Sequence, residues 1–177
     1  STESIAQIRN ADDAYQPRQA GLSFPRPPQF DSPALTRLHR KQRLAAVCRV
    51  FSRAGYEYGF AGHITVRDPE RPDHFWTNPF ALDFAKVRVS DLLLCNHEGE
   101  VVEGTRTVNR AGVVLHAAIH AAQPHVLASC HMHTVNGMAW AAFGEPLPPI
   151  NQTACYFYQD QAVITEGAGR VALEQGA

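Results

Sequence analysis

Asn109-Arg110-Ala111-Gly112-Val113-Val114-Leu115-His116-Ala117-Ala118-Ile119-His120-Ala121-Ala122, followed past Pro124 by Val126-Leu127-Ala128-Ser129-Cys130-His131-Met132-His133, is the stretch that decides the fold. Asn109 is a helix cap, Ala122 lies at the end of the apolar run, and Pro124 stops the helix from continuing. Val113, Val114, Leu115, Ala117, Ala118, Ile119, Ala121 and Ala122 leave little polar face, so the spacing predicts a helix covered on several sides. Val126–His131 then reads as an interior strand, and Thr134 to Phe143 as another turn or two of helix.

Upstream the same alternation continues. Ser32 as cap and Pro33 at the first helical position start a helix that runs to Gly55. Its apolar side is Leu35, Leu38, Leu44, Val47, Val50 and Phe51, and Arg37, Arg40, Lys41 and Arg43 read as its solvated side. Gly62 to Asp68 and His74 to Thr77 read as strands, because β-branched and aromatic residues alternate there before Pro79. Asp91–Asn96 and Glu100–Glu103 flank His97-Glu98-Gly99 as a hairpin. Helices alternating with strands argue for an α/β layered domain. The first thirty residues hold Pro17, Pro25, Pro27 and Pro28 and read as an extended arm.

Composition narrows the function. With 16 Lys+Arg against 17 Asp+Glu, a formal charge of −1 in 177 residues, the chain lacks the basic excess of a nucleic-acid binder. No run approaches the roughly 18 uninterrupted apolar residues of a membrane span, and Ser1–Asn10 lacks an apolar leader segment. Cys48, Cys95, Cys130 and Cys155 are widely spaced in apolar settings and read as reduced, buried thiols, so the expected compartment is the cytoplasm.

The chemistry gathers around histidines. If the strand continues through His131-Met132-His133, side chains two apart share a face, so both imidazoles meet one point while Met132 turns away. Two nitrogens at about 2.0–2.1 Å then suit a divalent ion. His116 and His120, four apart on the helix, share a face and read as packed histidines with local hydrogen-bond partners. His63, following Gly62 at a strand start, is placed to enter a cleft. No Gly-x-Ser-x-Gly elbow, dinucleotide fingerprint or phosphate loop is present.

Ala61-Gly62-His63-Ile64-Thr65-Val66-Arg67-Asp68-Pro69, Phe75-Trp76-Thr77-Asn78-Pro79-Phe80, Ser90-Asp91-Leu92, Val108-Asn109-Arg110, His116–Ala122 and His131-Met132-His133 together resemble the class II aldolase/adducin family, in order as well as content, over roughly residues 30–165. The resemblance implies a three-layer α/β/α sandwich around a mainly antiparallel sheet, and a homo-oligomer. On this basis residues 31–177 are expected to form the domain, incomplete at its C-terminal end, after an arm over residues 1–30. By position His131 and His133 take the metal-ligand role, with Zn or Fe(II) as the ion.

The resemblance also exposes departures. The family's catalytic acid falls at Gly112, its phosphate-binding Gly-Asn-x-Ser reads Gly62-His63-Ile64-Thr65, and the two serines before the acid read Arg110 and Ala111. A later histidine that completes the family's metal site has no counterpart after His133. Either a further segment supplies it, the favoured expectation, or His63, Asp160, a substrate atom or water takes its place. The implied activity is aldolase-type carbon–carbon lyase chemistry on a small, unphosphorylated carbonyl or carboxylate compound. Arg110 would pair with a carboxylate, and His63, Tyr156 or Tyr158 would carry the proton. Two other readings stand beside it: a non-haem Fe(II) oxygenase on the same fold, and an adducin-like scaffold without catalysis.

Overall fold

The computed structural model describes residues 19–23 and 26–165. Pro17 and Pro25 of the proline-rich segment, and the tail from Glu166 to Ala177, lie outside them. By contact the chain divides between Asp31 and Ser32, and each part is taken by itself. The described residues before the division comprise a turn, in which Leu22 N–H bonds Gln19 O at 3.4 Å, and non-regular chain.

The larger unit orders its elements as α1 (Pro33–Arg53), β1 (His63–Arg67), β2 (His74–Thr77), β3 (Leu93–Asn96), β4 (Val101–Glu103), α2 (Arg110–Ala122), β5 (Ala128–His131), α3 (Val135–Ala141) and α4 (Gln152–Cys155). Among the described residues the strands form one antiparallel sheet in the order β4-β3-β2-β1-β5. The caps behave as the sequence implies: Ser32 Oγ accepts from Leu35 N–H at 3.5 Å, and Asn109 Oδ1 accepts from Gly112 N–H at 3.4 Å. Beside the β3–β4 turn, Asn96 Oδ1 accepts from Glu100 N–H at 2.8 Å.

Strand alternation divides the sheet into two unlike faces. Ile64, Trp76 and Leu94 pack with Leu44, Ala45 and Cys48 of α1, and Met132 rests partly buried on the same cluster. On the other face Phe75 and Cys95 pack with Val113 and Ala117 of α2. One helix covers each face, so the expected α/β/α sandwich is present.

Four expectations give way to the structure. Of the basic run of α1 only Arg43 is exposed as a solvated side would be: Arg37 grips Asp68, Arg40 Nη1 donates to Arg67 O at 2.7 Å, and Lys41 Nζ stands 3.5 Å from the centroid of the Trp76 ring. Leu35, Leu38 and Val50 face outward instead. Among the described residues β5 lies at the end of the strand order rather than inside it, with Ala128 and Cys130 exposed. α2 leaves Leu115, Ala121 and Ala122 exposed, although its buried residues, Gly112 and Val114 among them, spread over more than half of its circumference. Of the thiols, Cys48 and Cys95 are buried but Cys130 and Cys155 are exposed; all four are free. Among the described residues no helix is long and apolar enough to cross a membrane.

Asp68, just past β1, ties α1 to the sheet. Its buried carboxylate accepts from Arg37 Nε at 2.6 Å and Nη2 at 2.7 Å, from Trp76 Nε1 at 2.7 Å, and from the Glu70 and Arg71 amides at 2.9 Å each. Burial alone would raise its pKa, but Arg37, the indole and the two amides outweigh that and hold it below the usual carboxylate range. Replacing it by alanine (Asp68→Ala) is expected to cost about 3 kcal/mol by denaturant titration. Because the folded pKa is depressed, the stabilisation is complete above about pH 4 and lost as pH falls through the folded value. The wild-type chain should show this acid loss below about pH 4 and the Asp68→Asn variant should not.

Candidate functional site

Antiparallel pairing of β1 with β5 sets His63 opposite His131 and Thr65 opposite Ser129. Gly62 begins this approach at φ +113, where any Cβ would meet Phe84, Met132 Sδ at 3.5 Å and the His131 carbonyl at 3.7 Å. His63 and His131 then stack nearly parallel, 8° apart with centroids at 4.6 Å. The strand ends at His131 rather than continuing through His133, yet the expected convergence is present. The two Nε2 atoms of His131 and His133 lie 2.8 Å apart, with the rings inclined at 61°.

That separation is a hydrogen-bond distance; a tetrahedral divalent ion would hold the two nitrogens about 3.3 Å apart, so a small outward shift of the rings would admit one. His63 does not extend the set, because a bound ion lies in the plane of each imidazole that holds it and stacked rings cannot both aim at one point. Among the described residues no group of three His, Cys, Asp or Glu side chains gathers as a metal site. Asp160 is exposed and is not part of such a group. Among the described residues His131 and His133 thus converge as a pair with no third His, Cys, Asp or Glu gathered beside them.

The absent acid has a steric explanation. Gly112 is buried in the first turns of α2, and a Cβ built on it would fall inside the imidazole of His63. The two departures from the family pattern are thus one exchange: the ring from β1 occupies the space that a side chain at residue 112 would need. No spacing rule joins residues 49 apart on a strand and a helix, so the sequence presents them as separate losses.

Behind His63 runs a chain of buried polar groups. His63 Nδ1 is 2.7 Å from His116 Nε2; Thr65 Oγ1 is 3.1 Å from His116 Nδ1 and 2.8 Å from His120 Nε2; and Arg67 Nη2 is 3.3 Å from His120 Nδ1. His116 and His120 are packed histidines with local partners, as their setting on an apolar helix implies. Thr65 and Arg67 were not legible as members, although the β1 alternation His63, Thr65, Arg67 puts them on one face. Burial, followed by the neighbouring His131 and His133, pushes the His63 pKa down to about 4. Burial with His63 lowers His116 to about 3, and burial with Arg67 lowers His120 to about 4. All three rings are neutral at pH 7.

The remaining candidates stand apart from this chain. Arg110, the first residue of α2, is exposed. Tyr156 and Tyr158, past α4, are 68% and 48% exposed rather than packed in the core. A cleft beside His63 is lined by Asn78, Asn109 and Phe84, with Phe60 and Phe80 at 5.8 Å between centroids and both exposed.

The model of the class II aldolase and adducin N-terminal domain matches residues 42–177. A protein named decarboxylase NovR from Streptomyces niveus is 44% identical over 150 residues, 84% of this chain and 56% of its own length. A 4-hydroxy-3-prenylphenylpyruvate oxygenase/4-hydroxy-3-prenylbenzoate synthase from Streptomyces roseochromogenus subsp. oscitans is 43% identical over 150 residues, 84% of this chain and 54% of its own. The chain therefore spans about half the length of these curated relatives. Among solved structures, L-fuculose 1-phosphate aldolase from Glaciozyma antarctica PI12 aligns with a TM-score of 0.74 at 45% identity, covering 76% of this chain and 55% of that one.

The His63–Gly112 exchange predicts a sign reversal in a double-mutant cycle. Gly112→Ala should destabilise the wild-type chain by about 1–3 kcal/mol through overpacking. In a His63→Ala background the same change should stabilise by up to about 1 kcal/mol, because only helix propensity remains. Acid should also act on the histidine chain. His116 and His120 have folded pKa values below their unfolded value of about 6.5, so stability is complete above it and falls as pH drops toward 4, where only the unfolded state takes up protons. Denaturant midpoints measured between about pH 7.5 and 4 would show the decline, which a His120→Gln variant should show less of.

Proposed function

Because the chain belongs to the class II aldolase and adducin family, we propose that it is part of a divalent-metal-dependent enzyme that makes or breaks a carbon–carbon bond beside the carbonyl of a small, unphosphorylated oxo or carboxylate compound. The observation that carries this reading is the 2.8 Å approach of the His131 and His133 Nε2 atoms at the end of β5, beside a third neutral imidazole. Those two nitrogens would hold Zn or Fe(II), which when bound supplies Lewis acidity toward a carbonyl oxygen. His63, stacked on His131, exchanges a proton with the substrate; neither Tyr156 nor Tyr158 shares that stacking. Arg110 pairs with a carboxylate of the substrate through its fork of donors.

The cleft supports the absence of a phosphate. His63 takes the place of the asparagine in the family's phosphate-binding run, and Phe60 and Phe80 stand at the cleft beside it. These rings favour an aromatic substituent on the oxo acid. The near-neutral charge supports a small molecule rather than nucleic acid as partner. The outward Leu35, Leu38 and Val50 of α1 support a homo-oligomer, and free thiols at all four cysteines support a cytoplasmic setting.

A second reading, a non-haem Fe(II) oxygenase, is favoured by two observations. The relatives at 44% and 43% identity carry the names decarboxylase and oxygenase, and position 112, where an aldolase would carry its acid, is closed by His63. Elemental analysis of protein prepared without chelator, beside His131→Ala and His133→Ala, tests the shared premise: wild type should hold stoichiometric metal and each variant should lose most of it. Supplying an aromatic 2-oxo acid such as 4-hydroxyphenylpyruvate then separates the readings. Oxygen uptake matched to CO₂ release identifies the oxygenase, oxygen-independent release of an aldehyde identifies the lyase, and variants that keep wild-type metal overturn both.

A further inference from the structure

We infer that Asn78, with Asn109 as a second donor, is a specificity-determining residue of the cleft next to His63, selecting a substrate whose aromatic ring carries an uncharged oxygen substituent. The inference rests on the reading of this cleft as the place of the substrate's ring. It starts from two backbone amides. Ile64 N–H donates to Asn78 Oδ1 at 3.0 Å, and Gly112 N–H donates to Asn109 Oδ1 at 3.4 Å, so in each carboxamide the oxygen is the atom turned toward the main chain. Each NH2 group is the end left over.

Asn78 is buried, 6% exposed, yet among the described residues its Nδ2 has one acceptor, Pro79 O at 3.5 Å, the outer limit of a hydrogen bond. That contact uses one proton at most. The second Nδ2 proton has no acceptor among the described residues, and a buried N–H without one is costly unless a ligand supplies it. The amide is also held still. Thr77 Oγ1 donates to Ile64 O at 3.0 Å, so residues 77 and 78 grip both main-chain polar groups of Ile64, directly after His63. A donor fixed before its ligand arrives loses little freedom on binding it.

Both asparagines line the cleft at which Phe60 and Phe80 stand. Phe80 N–H donates to Thr107 O at 2.8 Å, which pins the base of that ring. Among the described residues no lysine or arginine lines the cleft, and Glu57 brings a carboxylate to it, whose Oε1 accepts from Phe84 N–H at 2.7 Å. A phosphate or carboxylate entering here would face that negative charge with only neutral donors to hold it. An uncharged oxygen on a ring meets both surroundings: its lone pairs accept from the amides while the ring lies against the two phenylalanines.

Phenol, benzene and phenyl phosphate titrated into the ¹⁵N-labelled chain, with side-chain amide signals read in ¹H–¹⁵N spectra, test this without turnover. The two signals are assigned by their loss in Asn78→Ala and in Asn109→Ser, which keeps a helix cap. Phenol should bind roughly tenfold more tightly than benzene and shift the Asn78 amide protons, and phenyl phosphate should bind more weakly than phenol. Each variant should shrink the phenol-to-benzene ratio and leave benzene binding unchanged. Equal binding of phenol and benzene, tighter binding of phenyl phosphate, or variants that keep the wild-type ratio overturn the inference. If Asn78→Ala fails to fold, the wild-type ratio and Asn109→Ser still decide. Metal content measured on the same samples keeps the two readings apart. A phenol preference in a chain that binds no metal sinks the functional reading alone, and no preference in a metal-binding chain sinks this one alone.

Discussion

A layer of polar side chains buried between β1 and α2 governs the rest of the structure, because groups shut away from water must find their partners inside the protein. His63, Thr65 and Arg67 share one face of β1 and lie under His116 and His120, which share one face of α2. Two periodicities, two residues on the strand and about four on the helix, have to stay in phase for these groups to meet. A slip of one residue in β1 would put Ile64 and Val66 beneath the histidines and leave the guanidinium of Arg67 against the apolar side of α1. Arg67 is satisfied without a carboxylate: the carbonyls of Pro72, His120, Gln123 and Val126 accept from it, so its charge locks the end of α2 and the start of the β5 approach to one strand.

The opposite face of the sheet works by different physics. Ile64, Trp76 and Leu94 meet α1 through ordinary apolar burial, and the charge network sits at its edge, where Asp68 holds Arg37 and the Trp76 indole together. The sheet thus has one face of apolar burial and one where an apolar cluster of Phe75, Cys95, Val113 and Ala117 lies beside a buried polar layer. The His131–His133 pair belongs to the end of that second face, reached through the stacking of His63 on His131.

Local signals in the sequence predicted most of the elements, since caps, prolines and alternation act over a few residues. Ser32-Pro33, Asn109 and the β1 and β2 alternations all mark real boundaries. On α1, Leu44, Val47 and Phe51 mark the packed side as their spacing implies, but Arg37, Arg40 and Lys41 answer acceptors and a ring supplied by distant strands, which no local pattern announces. β5 has an interior composition but stands last in the order of the described strands, and that order depends on what pairs with it and not on its own residues. At the site, the adjacent pair His131 and His133 was legible because two positions define it. The link from Arg67 through Thr65 to His63 was not, because it crosses three elements that only tertiary packing brings together.

The mutual exclusion between the His63 ring and any side chain at residue 112 has an evolutionary reading. A lineage cannot pass from a carboxylate at 112 to an imidazole at 63, or back, in either single step without a crowded or hollow intermediate. The two positions should therefore be inherited as a linked pair across sequences of this architecture. Their joint identity would sort such sequences into an acid-bearing branch and an imidazole-bearing branch before any substrate is known.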